Sequence, residues 1–235
     1  MKKIKSKSIL TISDMHLPYA HPDTLPFLTA LKAKYKFDTV ICIGDEVDNH
    51  AISFHDSNPD LPSAGEELKR AKAALKPIFK LFPNVTVVES NHGSLVFRKA
   101  LNMGLPTAVF KSYNEILEAP KGWKWAADVI VHTSLGPVYF VHGKAGAPGK
   151  LASLMGCSTV QGHFHEKAQI NYISTPERLI FDAHTGCLAD DKSLALQYNK
   201  INPKRPIVSV LIIIDGIPQL VPMVLKPGGR WVGKL

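Results

Sequence analysis

Short apolar runs, each ending on a polar side chain, punctuate this chain. Residues 8–13 (Ser-Ile-Leu-Thr-Ile-Ser) read as a strand that hands over to Asp14-Met15-His16. Residues 39–43 are a β-branched run broken by Gly44, after which Asp45, Glu46 and Asp48 follow. Residues 85–90 form another such run and deliver Asn91-His92. Between these runs the apolar period lengthens. Leu25, Leu28, Leu31 and Ala33 predict a helix over 24–35, and Leu68, Ala71, Leu75, Ile78 and Phe79 predict one over 64–82. The second opens on Ser63-Ala64-Gly65-Glu66, an S-x-x-E capping-box pattern, and Pro77 predicts a kink in it.

Residues 94–125 carry mixed helical and loop signals, with Trp123 and Trp125 expected to pack over one edge. From about residue 128 the texture turns to strands. Residues 129–133 and 138–141 flank Leu135-Gly136-Pro137 as a hairpin whose second strand delivers His142. A Gly/Lys-rich loop over 143–150 and a short helix near 151–155 lead to a strand at 158–161, closed by Gly162-His163-Phe164-His165. Two further hairpins are expected, 170–174 with 179–183 and 208–215 with 219–225 around Gly216. Alternating strands and helices followed by strands, with no repeat or low-complexity linker, predict one α/β domain over 1–235.

Composition narrows the class. The chain is 45% hydrophobic and 20% charged, which suits a soluble globular protein and excludes a disordered one. No apolar stretch is long enough to span a bilayer. Residues 8–13 are too short for a signal-peptide core and run straight into Asp14 and His16 without a cleavage site, so the expected location is cytoplasmic, with no membrane partner. The 3 cysteines (Cys42, Cys157, Cys187) are scattered without metal-ligand spacing and read as free buried thiols in a reducing compartment. A net charge of +8 suits polyanionic or phosphorylated partners. Solvated helix faces and loops account for many of the lysines, and no basic stripe is interleaved with aromatics.

Collected by position, Asp14, His16, Asp45, Asn91, His92, His142, His163 and His165 each follow an apolar strand. Each can therefore reach the sheet edge at which α/β proteins bind ligands. Imidazole and carboxylate donors without thiolate suit divalent transition-metal ions such as Mn, Fe, Co, Ni or Zn. Two such ions sharing one carboxylate can clamp a phosphoryl oxygen. Nothing in the chain has the G-x-x-x-x-G-K-[ST] form of a nucleotide-kinase phosphate loop.

The succession Asp14-Met15-His16, Gly44-Asp45-Glu46-Val47-Asp48, Asn91-His92, His142-Gly143, Gly162-His163-Phe164-His165 resembles the calcineurin-like metallophosphoesterases. Their signature runs D-x-H, G-D-x-x-D, G-N-H-E/D, H and G-H-x-H, and the resemblance spans residues 9 to about 190. The layout is similar to that of the small bacterial and phage-type members. The resemblance implies an α/β/β/α sandwich, two mixed sheets with helices on the outer faces. It implies Asp14, His16 and His165 on one metal ion, Asn91, His142 and His163 on a second, and Asp45 between them. Mn is the first choice for both. His92 would be the non-ligand histidine that contacts the phosphate and protonates the leaving oxygen, with Asp48 in support.

The implied activity is phosphoester hydrolysis by a metal-bridging hydroxide, on a small phosphorylated substrate such as a nucleotide, in the manner of a 5′-nucleotidase. A phosphodiesterase or nuclease acting on nucleic acid or cyclic nucleotides is the alternative, and a non-catalytic metal-binding scaffold the third reading. Two positions depart from the family pattern. Ser90 stands where Gly precedes the Asn, and Gly93 where Glu or Asp follows the His and would orient it.

Asn91, His55 and Lys144 are the candidate substrate contacts. Asn91 also makes good turn chemistry, and a loop role stays equally open for His50, His55 and Asp56. Lys144 and Lys150 could meet a phosphate from the Gly-rich loop or lie solvated, and Arg98 could face the site or a surface partner. His21, His132 and His184 are read as structural or surface residues, and a homo-oligomer stays open.

Overall fold

The structure is a computed structural model that describes residues 4–54, 58–196 and 204–235. The first sheet has the order β12-β11-β2-β3-β4-β5. Its parallel centre is β2 (Ser8–Ile12), β3 (Thr39–Cys42), β4 (Val85–Val88) and β5 (Trp123–Ala126). β11 (Ser209–Ile214) and β12 (Ile217–Pro222) extend it antiparallel beyond β2. The second sheet has the order β1-β6-β7-β8-β10-β9. It comprises β1 (Ile4–Lys5), β6 (Val129–Thr133), β7 (Gly136–Val141), β8 (Ser158–Gln161), β10 (Leu179–Thr185) and β9 (Ala168–Ser174). The helices are α1 (Thr24–Lys34), α2 (Ala64–Leu81), α3 (Leu95–Asn102), α4 (Tyr113–Ile116) and α5 (Lys150–Met155).

The near-continuous apolar runs follow from burial on both strand faces. Side chains alternate across a strand, and here the alternation sorts them between two cores. Ile9, Ile41, Ile43, Val88, Leu211 and Ile213 of the first sheet meet Val131, Val138, Phe140, Val160, Phe181 and Ala183 of the second in one buried cluster. The intervening Leu10, Ile12, Cys42, Val87 and Ile212 face outward onto Phe27, Leu28 and Leu31 of α1 and Ala71, Leu75 and Ile78 of α2. α5 covers the far face of the second sheet through Leu151, against Tyr139 and Val141. The two-sheet α/β architecture is the expected one.

Several local expectations are corrected. Residues 123–126 are a strand, not loop: Trp123 and Trp125 point into the structure while Lys124 is exposed, the pattern of a half-buried edge strand. The Trp123 indole N–H donates to Phe82 O at 2.8 Å, which fixes that edge. Gly136 and Pro137 belong to β7 and are not a free turn. The third run stops at Val88, two residues before its polar end. α2 continues through Pro77 to Leu81. Only half of its capping box forms, because the Glu66 carboxylate lies 2.9 Å from Arg70 Nε while Ser63 Oγ accepts from Glu66 N. The complete box is at Ser112 and Glu115, opening α4.

Asp23 ties the chain's last turn to α1. Its carboxylate accepts from Arg230 Nε at 2.9 Å and Trp231 N at 2.8 Å, and the Trp231 ring packs edge-on to Phe27 at 5.5 Å. The Arg230 hydrogen bond and the Trp231 amide hold the Asp23 carboxyl well below the usual carboxylate range. A depressed folded-state pKa adds stability above the unfolded value, near 3.9, and loses it as pH falls toward the folded value. Asp23→Asn is expected to lower the melting temperature by a few degrees at pH 7, with the gap closing below about pH 4 in parallel thermal melts.

Candidate metal centre

The loops that follow β2 and β3 run side by side and are stitched by backbone hydrogen bonds. Asp14 N donates to Gly44 O (3.1 Å), His16 N to Asp45 O (2.8 Å) and Asp48 N to Leu17 O (3.0 Å). Asp14, His16, Asp45 and His163 hold φ of 49°, 48°, 49° and 68°. Non-glycine residues occupy this left-handed region rarely, and such strain gathers at functional sites. Gly44 has φ 91°, and a Cβ there would sit 2.4 Å from Ser90 Cβ and 3.0 Å from Val88 O. The loop can approach β4 only because position 44 has no side chain. Gly44→Ala should destabilise the protein by more than the about 1–3 kcal/mol of backbone strain alone, read from urea denaturation.

On this frame the strand-end residues converge. His16 Nε2 lies 3.1 Å from His165 Nε2, and His165 Nε2 lies 3.2 Å from Asp14 Oδ1. His142 Nε2 lies 2.7 Å from Asn91 Oδ1 and 3.1 Å from Asp45 Oδ2. Asp45 Oδ2 is also 3.6 Å from His16 Nε2, so one carboxylate oxygen stands between the two groups. Ligand atoms of Asp14, His16 and His165, of His16, Asp45 and His92, and of Asp45, His142 and His163 lie within 4.8 Å of one another in each set.

The other ring nitrogens of His16 and His142 are already committed. His16 Nδ1 is 2.6 Å from Asp48 Oδ1, and His142 Nδ1 donates to Ile43 O at 2.8 Å. Outer partners of this kind fix the tautomer and turn Nε2 toward a shared point. Nitrogens and carboxylate oxygens aimed at one another, without thiolate, form a donor set that fits divalent transition-metal ions.

Electrostatics follow from burial and pairing. Burial alone would raise the Asp14 carboxyl, but hydrogen bonds with His16 and His165 override it and hold it well below the usual range. Burial opposes charging His16, yet Asp14, Asp48 and Asp45 raise its pKa well above the ordinary value. Burial likewise opposes charge on His142, but Asp45 outweighs it and raises the imidazole to about 9. Ligation needs neutral imidazole, so metal binding here releases protons.

His92 sits beside this cluster. Its backbone N–H donates to Asp45 Oδ1 at 3.1 Å, its Nδ1 meets the Asp48 carbonyl oxygen, and Asp48 Oδ1 is 3.4 Å away. The orienting oxygens therefore come from Asp48, in place of the acid missing at position 93. Ser90 ties the β3 and β4 loops together, because its hydroxyl accepts from Asp45 N at 2.9 Å and from Gly93 N at 3.2 Å.

The other candidates separate. Arg98 Nη2 donates to Asn91 O at 2.6 Å, and with Lys144 it lines a groove of about 540 Å³ beside Asn91, His142 and His163. Lys150 starts α5, away from that lining. His50 is buried, and Glu67 accepts from His50 N at 2.7 Å, a structural role for both. His55 and Asp56 lie outside the described residues. His21 Nε2 donates to Gly229 O at 2.9 Å, and His184 is buried against Phe164.

Sequence reasoning missed Ser90 and the Asp48 carbonyl as organisers. It also missed Glu46, a buried carboxyl that burial pushes up to about 7 against the Trp125 indole N–H it accepts. An acid directly behind a buried strand, between two other acids, was the available signal. Among the described residues, no helix is long and apolar enough to cross a membrane.

Compared with known proteins, residues 7–201 match the family model described as calcineurin-like phosphoesterase. No curated protein matches the chain. Among solved structures, the chain is similar to an archaeal phosphodiesterase, with a TM-score of 0.48 at 13% identity, covering 92% of this chain and 99% of that one. A metallophosphoesterase from Sphaerobacter thermophilus gives 0.45 at 15% identity, covering 94% and 90%. Vacuolar Protein Sorting 29 from Cryptosporidium parvum gives 0.44 at 16% identity, covering 92% and 96%.

Proposed function

Because the chain belongs to the calcineurin-like phosphoesterase family, we propose that it is a divalent-metal-dependent phosphoester hydrolase acting on nucleoside monophosphates. One observation carries the reading: Asp45 Oδ2 stands 3.6 Å from His16 Nε2 and 3.1 Å from His142 Nε2, between two ligand groups. Asp14, His16 and His165 would hold one ion, Asn91, His142 and His163 the other, and Asp45 both. Such ions, Mn by preference, polarise a phosphoryl oxygen and lower the pKa of bound water toward neutrality.

The chain's own residues do the rest. Asp48 holds His16 in the tautomer that offers Nε2, through the 2.6 Å contact to its Nδ1. The His92 ring is anchored through Nδ1 and 20% exposed, so Nε2 can deliver a proton to the departing oxygen. Asn91, whose Oδ1 lies 2.7 Å from His142 Nε2 and which lines the groove, would meet both a metal and the substrate phosphate. Lys144 and Arg98 supply positive charge along the groove. A groove of about 540 Å³ suits a small ligand better than a duplex. The buried free thiols of Cys42, Cys157 and Cys187 support a reducing, cytoplasmic setting.

A nuclease or phosphodiesterase is the second reading, favoured by those two cations and by the net charge of +8. A panel of 5′- and 3′-nucleotides, cyclic nucleotides, an aryl bis-ester and single-stranded DNA, each with Mn and with chelator, separates them. Preferred turnover of monophosphates with little salt dependence supports the first reading. Preferred turnover of DNA that falls steeply with salt supports the second. No metal-dependent turnover on any member overturns both.

A further inference from the structure

Side chains alternate across β8 and β10, and the pairing of Asp182 with Thr159 and of His184 with Gln161 puts four polar residues on one face. Val160 and Ala183, between them, fill the core between the two sheets. The four turn the other way, toward the side that α5 covers, and each is at most 1% exposed. Burying polar groups is costly unless they are hydrogen-bonded, so where their bonds go is informative.

They go to the loop over 143–150. Gln161 Oε1 accepts from Lys144 N at 3.0 Å and from Ala145 N at 3.1 Å, and Gln161 Nε2 lies 3.2 Å from Ala145 O. The same Nε2 is 3.2 Å from Asp182 Oδ1 and from His184 Nε2. Asp182 also accepts from Thr159 Oγ1 at 2.6 Å and, at the far end of the loop, from Gly149 N at 2.8 Å. Two backbone donors on one side of the Gln161 amide, with a carboxylate and a carbonyl on the other, fix which way it faces.

The loop gains little rigidity from its own sequence, which includes Gly143, Gly146 and Gly149. Gly143 must stay bare, since a Cβ there would sit 2.6 Å from His163 Cβ. Yet this loop carries Lys144 into the groove beside Asn91, His142 and His163. Lys144 is exposed and makes no ion pair among the described residues. Arg98, the other cation of the groove, is already engaged by Asn91 O and Ser94 Oγ.

We propose that Gln161, braced by Asp182, is a positioning residue: it pins the backbone of Lys144 so that the ammonium group meets a phosphate oxygen in the groove. Anchoring a glycine-rich loop in advance spares the ordering entropy that binding would otherwise lose. The proposal rests on the phosphoester reading and adds to it a residue that acts through Lys144.

The test titrates inorganic phosphate into the Mn-loaded full-length protein by calorimetry and follows amide hydrogen exchange at residues 144 and 145 by NMR on the metal-free protein. Lys144→Ala should weaken phosphate binding about tenfold, as expected for a lost hydrogen bond to a charged group. Gln161→Met should speed exchange of the two amides by at least about tenfold and leave the metal content unchanged. It should also weaken phosphate binding in the native background and have no further effect in Lys144→Ala, because the two residues act as one unit. Gln161→Glu keeps the acceptor for both amides but turns an oxygen on Asp182 and Ala145 O. It should show the same loss of affinity, so the test stands if Gln161→Met does not fold. Additive losses in the double variant, unaltered exchange, loss of metal from the Gln161 variants, or no phosphate binding at millimolar concentration overturns the proposal. Nucleotide hydrolysis is scored separately, so the positioning role can fail while hydrolysis stands, and phosphate binding and exchange decide it even if no ester is turned over.

Discussion

Asp45→Asn is expected to cost the protein both metal stoichiometry and turnover. The asparagine preserves the acceptor that receives His92 N–H at 3.1 Å, so the β4 loop keeps its place. What disappears is the anionic oxygen at 3.1 Å from His142 Nε2 and 3.6 Å from His16 Nε2. Losing an outer partner of a metal ligand typically costs 10- to 100-fold in affinity, and a carboxylate shared by both ions should cost more. Several kcal/mol of transition-state stabilisation, at 1.36 kcal/mol per decade, corresponds to a fall in turnover of at least about 10³-fold. Metal content per chain after gel filtration and the rate on a nucleoside monophosphate are the measurements. A variant that retains two ions and near-native turnover would remove Asp45 from the centre of the site.

The second large effect concerns His92. His92→Ala should leave the metal content unchanged while slowing nucleotide hydrolysis by about 10²- to 10⁴-fold, the range for a lost general acid. The reasoning is positional: the ring is tied through Nδ1 to the Asp48 carbonyl, and only its backbone N–H touches Asp45. An aryl phosphate, whose leaving group departs without a proton, should suffer much less than a nucleotide. If metal content falls with the substitution, His92 is a ligand, an outcome its place within 4.8 Å of His16 and Asp45 ligand atoms makes specific. Equal slowing of both substrates would also count against proton delivery.

Gly93 shows how a departure from a family pattern acquires meaning only in three dimensions. Along the chain it reads as a missing orienting acid. In the folded protein Asp48 stands against His92 from another loop, and the bare position lines a cavity instead. Likewise Ser90, which looks like a lost glycine, accepts two backbone N–H groups and fastens the two loops that deliver Asp45 and Asn91. Neither role has a local signature, because Asp48 and Asp45 lie on a different strand connection from His92 and Ser90.

Strands β2, β3, β4 and β8, the α1 and α2 helices, and the order of Asp, Asn and His residues at strand ends were legible because they are local. A β-branched run terminated by a polar residue needs no distant partner to be recognised. The four-residue β5 was not legible, since Trp-Lys-Trp-Ala is too short for a periodicity to emerge and its pairing with β4 supplies the stability. The failed half of the Ser63 capping box has a similar origin: Arg70, one turn on, competes for the Glu66 carboxylate.

What the amino-acid order determined by itself is the set of available donors and the fact that each follows a strand. Parallel strands carry their carboxyl ends to one edge, so a recurring apolar-then-polar pattern already implies convergence. Only the tertiary structure decided which imidazole nitrogens face inward, that one Asp45 oxygen lies between both groups, and that Glu46 is buried with one oxygen unmatched. Those outcomes depend on distances of a few ångströms between residues as far apart as 151 positions in the chain, as for Asp14 and His165. Distances of that kind are set by how the two sheets pack, and packing is a property of the whole core that no single segment encodes.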